Sequence, residues 1–416
     1  MIISIISIAF TVTAIIFVST KVIKERWYGF TIYLVALFNL WSTTLLGQSV
    51  VGIDISRELA MSNQALQNGW NWTGIYDVSN TSVLVGWAIP QFSKFFQIPA
   101  EWTYKLFLPM IFACTPSILY IIFKKQIDTL KAFYASIFFI IMPVFSLEIG
   151  AIGKSMVAET LMACCFWTMF SNISSWKKLT LMTLFALLTL WTHYTVGIML
   201  IFYLIVMIFV LLFTKLFKNW QLWKQRIVSI WIPIIVVIFL ITGFAGYYSK
   251  ASQGIVYNTV VRLGQQYTVL TNIFIKHEDL TSNTTGNIVG EKIKEAQLQE
   301  LAVSARDLDP ITSIGLGKDF VDSSIAGKLF RIVQYFTQLL IVIGCFWLLF
   351  KYKQYNFSAE FIAGIAASLL VLLFVVVVPM FSSLINATRN YQLSLFFLAP
   401  MFILGIDCLC QKLKQQ

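Results

Sequence analysis

The stretch Val50 to Trp70, VVGIDISRELAMSNQALQNGW, sets Asp54, Arg57 and Glu58 within five residues, directly after an apolar run. Asp54 and Glu58 are four apart, a spacing that on a helix puts both carboxylates on one face with Cβ atoms about 6 Å apart. Neighbouring carboxylates can divide the work of a transfer reaction: one accepts a proton from a hydroxyl, the other positions a substrate or helps to bind a cation. Ile55, Leu59, Ser62 and Leu66 form a modest apolar stripe and Gly69 is a natural helix stop. Together they predict a short amphipathic helix with its acidic edge toward water. A plainer reading stands beside this one. Asp54 is then only an N-cap, without the Glu or Gln three residues on that a capping box wants, and Glu58 pairs with Arg57 or is solvated.

Other chemistry-bearing residues are few and lie at the edges of apolar runs. Glu159, in GKSMVAETLMACC, sits inside such a run, where an ionisable side chain faces a polar cavity or a partner; Lys154, five residues earlier, is the nearest partner in sequence. Glu148 ends the preceding run and either joins the site or marks the water interface. His193 and Tyr194, in LWTHYTVG, stand at the junction of two runs, and a histidine there is either a hydrogen-bonded packing group or a participant. Arg389, in INATRNYQLSLFFLAP, opens the last run. It either snorkels or offers a guanidinium that matches a phosphate bidentately.

The elements that must position these residues are membrane spans. Of 416 residues, 58% are hydrophobic and 12% charged, with mean hydropathy +0.79, against the roughly 25% charged content of a soluble domain. Uncharged runs long enough to cross a bilayer predict an all-α polytopic membrane protein with about 11 transmembrane helices. They lie near residues 1 to 20, 28 to 46, 102 to 123, 130 to 148, 155 to 171, 178 to 192, 194 to 214, 227 to 246, 329 to 350, 358 to 381 and 388 to 410. The sixth is the shortest. The first reads as a retained span and not a cleaved signal, with no basic region before it and no clear cleavage site after it.

Orientation follows the lysines and arginines of the short connections. KVIKER, KKQIDTLK, SWKK, KLFKNWQLWKQR, KYKQYN and QKLKQQ fall on alternate connections, which predicts that their face is cytoplasmic. The N-terminus is then outside and the C-terminus inside, in the plasma membrane, and the candidate residues share the outer face. The chain divides into an N-terminal transmembrane module, 1–246, with an acidic first outer loop at 47–101; a long extracytoplasmic loop, 247–328; and C-terminal transmembrane helices, 329–416. Within the long loop, GEKIKEAQLQELAVSARDLDP has helical spacing up to Pro310 and predicts a second interfacial helix, after the polar, turn-rich KHEDLTSNTTGN. DLDP, Asp307 to Pro310, reads as solvated charge or a helix stop.

The six cysteines, Cys114, Cys164, Cys165, Cys345, Cys408 and Cys410, lie in or beside apolar runs without zinc-site spacing and read as packing residues. The net charge of +11 is spread among spans and marks membrane lipid contact; no nucleic-acid motif accompanies it. No metal ligands are assigned, although a divalent cation would suit the acidic loop. The sequons at Asn71 and Asn283 matter only in a cell that glycosylates them.

GIDISRELAMSNQALQNGW after an apolar helix, then GKSMVAETL, LWTHYTVG and NATRNYQLSLFFLAP, together resemble a family of poorly characterised prokaryotic multispan proteins. That family is similar to the GT-C superfamily of membrane glycosyltransferases. The likeness covers roughly residues 25 to 215 and 375 to 410. It implies a GT-C-like fold and hexosyl or pentosyl transfer from a polyprenyl-phosphate-linked sugar donor to a glycan, lipid or protein acceptor. By position it makes Asp54 the catalytic base and Glu58 a second carboxylate. Arg389 would hold the carrier phosphate, and Lys154, Glu159, His193, Tyr194 and Glu148 would line the cavity. Where the related family often has an arginine-glutamine pair before its glutamate, this chain reads Gly153, Lys154, Ser155. The rival expectations are a transporter or flippase of lipid-linked sugars, a glycan polymerase or ligase, and a non-catalytic scaffold. Against transport stand the lack of an internal repeat and the gathering of candidate groups at one face.

Overall fold

The computed structural model describes residues 2–216, 227–261, 324–351, 354–355, 357–377 and 386–415, and among these there is no β-strand. Long apolar runs fold as helices because hydrocarbon offers no partner to a backbone N–H or C=O, so each segment must satisfy its own. In chain order the helices are α1 (Ile2–Ser19), α2 (Tyr28–Thr44), α3 (Ile53–Asn68), α4 (Ile89–Phe96) and α5 (Ala100–Phe123). Then come α6 (Thr129–Ile141), α7 (Gly153–Phe170), α8 (Ser175–Thr192), α9 (Tyr194–Leu216) and α10 (Trp231–Tyr248). The last three are α11 (Ile325–Lys351), α12 (Ala359–Val377) and α13 (Ala387–Gln415).

Each of the eleven uncharged runs falls on one of these helices, but fewer are spans by length and composition. Among the described residues six helices are long and apolar enough to cross a membrane, namely α5 and α9 to α13. A seventh is α6 taken together with Val144–Ala151, a pair bent by 53°. The described residues therefore support six or seven spans by length and composition and do not confirm the expected eleven. The reasons are local. Pro143 interrupts the fourth run, Lys154 and Glu159 dilute α7, Lys177 and Lys178 open α8, and α2 has only 17 residues. Most of the long outer loop, including the amphipathic segment ending at Pro310, DLDP and Asn283, lies outside the described residues.

Aromatic side chains fill the centre. Phe138 of α6 stacks on Phe402 of α13 at 3.9 Å, and Phe397 of α13 meets Phe166 of α7 at 5.0 Å and Phe361 of α12 at 5.4 Å. Outward, large apolar side chains such as Leu329, Val333 and Phe336 on α11 and Ile238 and Ile241 on α10 are exposed, the surface that lipid covers in a membrane protein. α11 and α13 cross backbone to backbone. A Cβ on Gly344 would overlap the Met401 carbonyl oxygen, and one on Gly405 the Leu340 carbonyl oxygen. Small residues at such a crossing let dispersion and close backbone contact hold helices that lipid does not push together.

Contacts between the connections sort them into two ends of the bundle. At one end the first loop is tied to the segment after α10: Ser252 N donates to Trp72 O at 2.7 Å and Asn80 Nδ2 to Ser252 Oγ at 3.2 Å. Ser82 Oγ joins the α8–α9 junction there by donating to Thr192 O at 2.7 Å. At the other end Lys125 donates to Phe170 O at 2.7 Å, Lys178 to Ile227 O at 3.2 Å, and Ser358 N to Gln126 Oε1 at 2.9 Å. The described Lys-bearing connections at Lys125 and Lys178 meet at this second end.

Replacing Gly344 by alanine forces α11 away from α13 and costs about 1–3 kcal/mol. Thermal unfolding in detergent should show a clear drop for Gly344→Ala, and none for Gly246→Ala, where a Cβ meets nothing within 4 Å.

Candidate active site

α3 begins at Gly52, whose φ of +135° suits glycine and whose added Cβ would meet Ala151 Cβ at 2.8 Å. Glycine therefore lets the start of α3 lie directly on the turn that leads into α7. Gly52 is the N-cap residue, and Asp54 sits in the first turn of the helix with its charge matched to the helix dipole. The N-cap reading of Asp54 is thus corrected. Its carboxylate instead faces Arg389, whose Nη2 donates to Asp54 Oδ2 at 3.3 Å across 335 residues of sequence. Both side chains are part exposed, 45% for Asp54 and 29% for Arg389.

Glu58 takes the opposite course. The buried stripe of α3 is Ile55, Glu58, Ser62 and Ala65, so the expected apolar stripe is displaced and carries a carboxylate. Arg57 pairs with Asp77 at 3.7 Å, and Glu58 is neither its partner nor solvated. Glu58 Oε2 accepts from the backbone N of Lys154 at 3.1 Å, and Oε1 lies 3.7 Å from Lys154 Nζ. A side chain of α3 thereby caps the N-terminus of α7, where unsatisfied N–H groups and the helix dipole favour an anion. Gly153 makes room, since its Cβ would stand 2.8 Å from Glu58 Oε2. Burial pushes the Glu58 carboxyl up to about 7, against the pull of the Lys154 ammonium and backbone N–H, while the Asp54 charge adds to the rise. One turn further on, Ser62 Oγ donates to Val85 O at 2.8 Å and meets Tyr104 Oη at 3.0 Å, fixing α3 to α5 and to the helical turn that runs into α4.

Lys154 is therefore engaged by Glu58. Glu159 is buried, with Oε2 lacking a hydrogen-bond partner, and shares a cavity of about 20 Å³ with Arg389, His193, Ser155 and Thr195. That volume holds about one water. Any larger ligand would therefore have to lie above it, over the more exposed Asp54 and Arg389. His193 Nε2 is 2.9 Å from Thr195 Oγ1 and Nδ1 is 3.4 Å from Ser155 Oγ. Burial, reinforced by the charges of Lys154 and Arg389, holds the His193 ring well below the usual histidine range, so it stays neutral. Tyr194 follows at the start of α9, its ring 5.7 Å from that of His193. Thr388 Oγ1 donates to Glu148 Oε2 at 2.5 Å, so the half-buried Glu148 anchors the first turn of α13 beside Arg389.

The structure thus brings Asp54 to Arg389, Glu58 to Lys154, and Glu159 and His193 to one small cavity with Arg389. Sequence reasoning missed Ser155, Thr195 and Thr388, each within two residues of a singled-out ionisable group and each a hydroxyl beside an apolar run. Among the described residues no group of three or more His, Cys, Asp or Glu side chains is arranged to hold a metal ion. The six cysteines are free thiols.

Residues 319–416 match the model of a family described as a predicted membrane protein (DUF2206). The matched region carries α11 to α13 and Arg389. No curated protein and no solved structure matches the chain. The membrane-spanning helices and the family match agree that this is a membrane protein.

The raised Glu58 carboxyl makes a pH prediction. The folded chain holds this proton up to about 7, whereas the unfolded chain releases it near the ordinary value of 4.5. Its contribution to stability is full below 4.5 and is lost as pH rises toward 7. Thermal unfolding across that window should show a falling midpoint for the wild type and a flatter profile for Glu58→Gln. Glu58→Ala, which leaves the α7 N-terminus uncapped and Lys154 unpaired, should lower the midpoint at every pH.

Proposed function

We propose that the protein is a membrane glycosyltransferase that moves a sugar from a polyprenyl-phosphate-linked donor to a hydroxyl acceptor. The observation that carries this reading is the Asp54–Arg389 pair, a proton acceptor and a phosphate-binding fork 3.3 Å apart at the accessible edge of the site. The likeness of the quoted motifs to the GT-C superfamily points the same way. So does sidedness: the basic connections lie at the opposite end, which the charge rule makes cytoplasmic, leaving the site extracytoplasmic.

In this reading the carrier phosphate takes Arg389 in a bidentate grip, displacing Asp54. The acceptor oxygen attacks the anomeric carbon as the bond from that carbon to the phosphate oxygen breaks. The hydroxyl proton passes to Asp54, and the electron pair leaves with the polyprenyl phosphate, whose charge Arg389 stabilises. A single displacement of this kind inverts the anomeric carbon. Glu58, buried and turned to Lys154, acts as a positioning residue for Asp54 and does not touch the sugar. Glu148 does the same for Arg389 through Thr388. A second reading, a transporter of lipid-linked sugars, draws on the buried and unpartnered Glu159 Oε2 beside neutral His193, a pair suited to a proton pathway.

Purified protein in sealed vesicles, given polyprenyl-phosphate hexose or pentose and candidate acceptors, separates these readings. Asp54→Asn should lower transfer by about 10²–10⁴, the range of a lost general base. Undiminished transfer by that variant would remove Asp54 from the mechanism. Arg389→Lys, which keeps charge but not the fork, should lose about tenfold or more in kcat/KM for the donor. Accumulation of the sugar lipid across the bilayer without transfer would favour the transporter.

A further inference from the structure

At the basic end of the bundle, far from Asp54, a groove of about 480 Å³ runs between α6 and α13. Leu130, Tyr134, Ile137 and Ile141 line it from α6 at helical spacing, so they form one face. The facing wall is Ile403 and Ile406 of α13, and the Phe138–Phe402 stack forms the floor. From Leu130 to Ile141 a helix rises about 16 Å, roughly half of a 30 Å hydrocarbon core. The groove is therefore as deep as one leaflet. Its rim is apolar and open to the side, with Ile141 50% exposed and Leu130 and Ile406 36% each.

The groove ends in charge. Lys131 Nζ lies 2.5 Å from Asp407 Oδ2 and 3.4 Å from Asp128 Oδ2, so two carboxylates face one ammonium. A headgroup that brought only negative charge would meet an excess of carboxylate. One that carried a phosphate for Lys131 and a primary ammonium for Asp128 and Asp407 would satisfy all three, since a primary ammonium donates three hydrogen bonds and a quaternary one donates none. We infer that this groove binds one glycerophospholipid with a primary-ammonium headgroup, drawn from the leaflet at the basic end. An acyl chain fills the space along α6, and the zwitterionic headgroup exchanges partners with the Asp128, Lys131 and Asp407 cluster.

Native mass spectrometry of the full chain, delipidated in detergent and titrated with phosphatidylethanolamine, phosphatidylcholine or phosphatidylglycerol of matched acyl chains, tests this. The wild type should retain phosphatidylethanolamine about fivefold or more over each of the others, as expected for charged contacts near the surface. Asp128→Asn with Asp407→Asn should erase that preference without abolishing lipid binding, and Ile141→Trp, at the open rim, should weaken all three lipids together. Equal or tighter binding of phosphatidylglycerol by the wild type would overturn the proposal, and so would a dimer whose interface covers the groove. The wild-type comparison needs no variant to fold and decides the headgroup by itself.

Discussion

A guanidinium at the edge of an apolar helix needs an anion, and much of the acidic end of this bundle is arranged around that need. Arg389 opens α13, whose first turn is fixed by Thr388 on Glu148, a residue of the bent segment that follows α6. The answering carboxylate, Asp54, arrives from the other end of the sequence on a short helix that crosses no membrane. The bridge itself is weak. With both side chains part exposed, a pair of this kind contributes about 0–1 kcal/mol, so it does not hold the fold together. The packing of α3, α7 and α13 holds the bridge. A pair supported in this way can lose one partner to a better anion without the scaffold yielding, as the proposed phosphate-binding step requires.

Glu58 supplies the support, and its energetics differ in kind. It is wholly buried, with Oε2 accepting from the backbone N–H of Lys154 at the α7 N-terminus and Oε1 3.7 Å from the Lys154 ammonium, so removing it strands Lys154 in an apolar surrounding. Breaking a buried pair costs several times what a surface pair contributes. The two carboxylates that stand four apart in the sequence therefore have opposite fates: one accessible and paired at the surface, the other enclosed and paired in the interior.

Composition and apolar run length made the helical membrane character legible, because hydrocarbon leaves a chain few other choices. Helix positions followed for the same reason, yet span number did not. Run length does not register a proline break at 143 or the polar dilution of α7 and α8, and these are what separate the eleven runs from the six or seven helices that pass by length and composition. The charged residues of the site were legible as oddities at span ends. Their pairing was not, since Lys154 is nearer in sequence to Glu159 than to Glu58, and local distance says nothing about a contact made 96 residues away. The burial of Glu58 was likewise hidden: its position four after Asp54 suggests one face, while the tertiary contact with α7 turns that face inward.

Those opposite fates bear on what the acidic helix can bind. A cation shared between Asp54 and Glu58 would need lone pairs from both, and those of Glu58 are turned toward Lys154 and the α7 backbone. The ammonium already supplies the positive charge a cation would bring to Glu58. Asp54 alone keeps an open side, and its present partner is a guanidinium that a phosphate can claim. On the proposed reading an anionic group is recognised through Arg389, with Asp54 released as that group arrives, and the contacts of Glu58 leave it poorly placed to share a cation with Asp54.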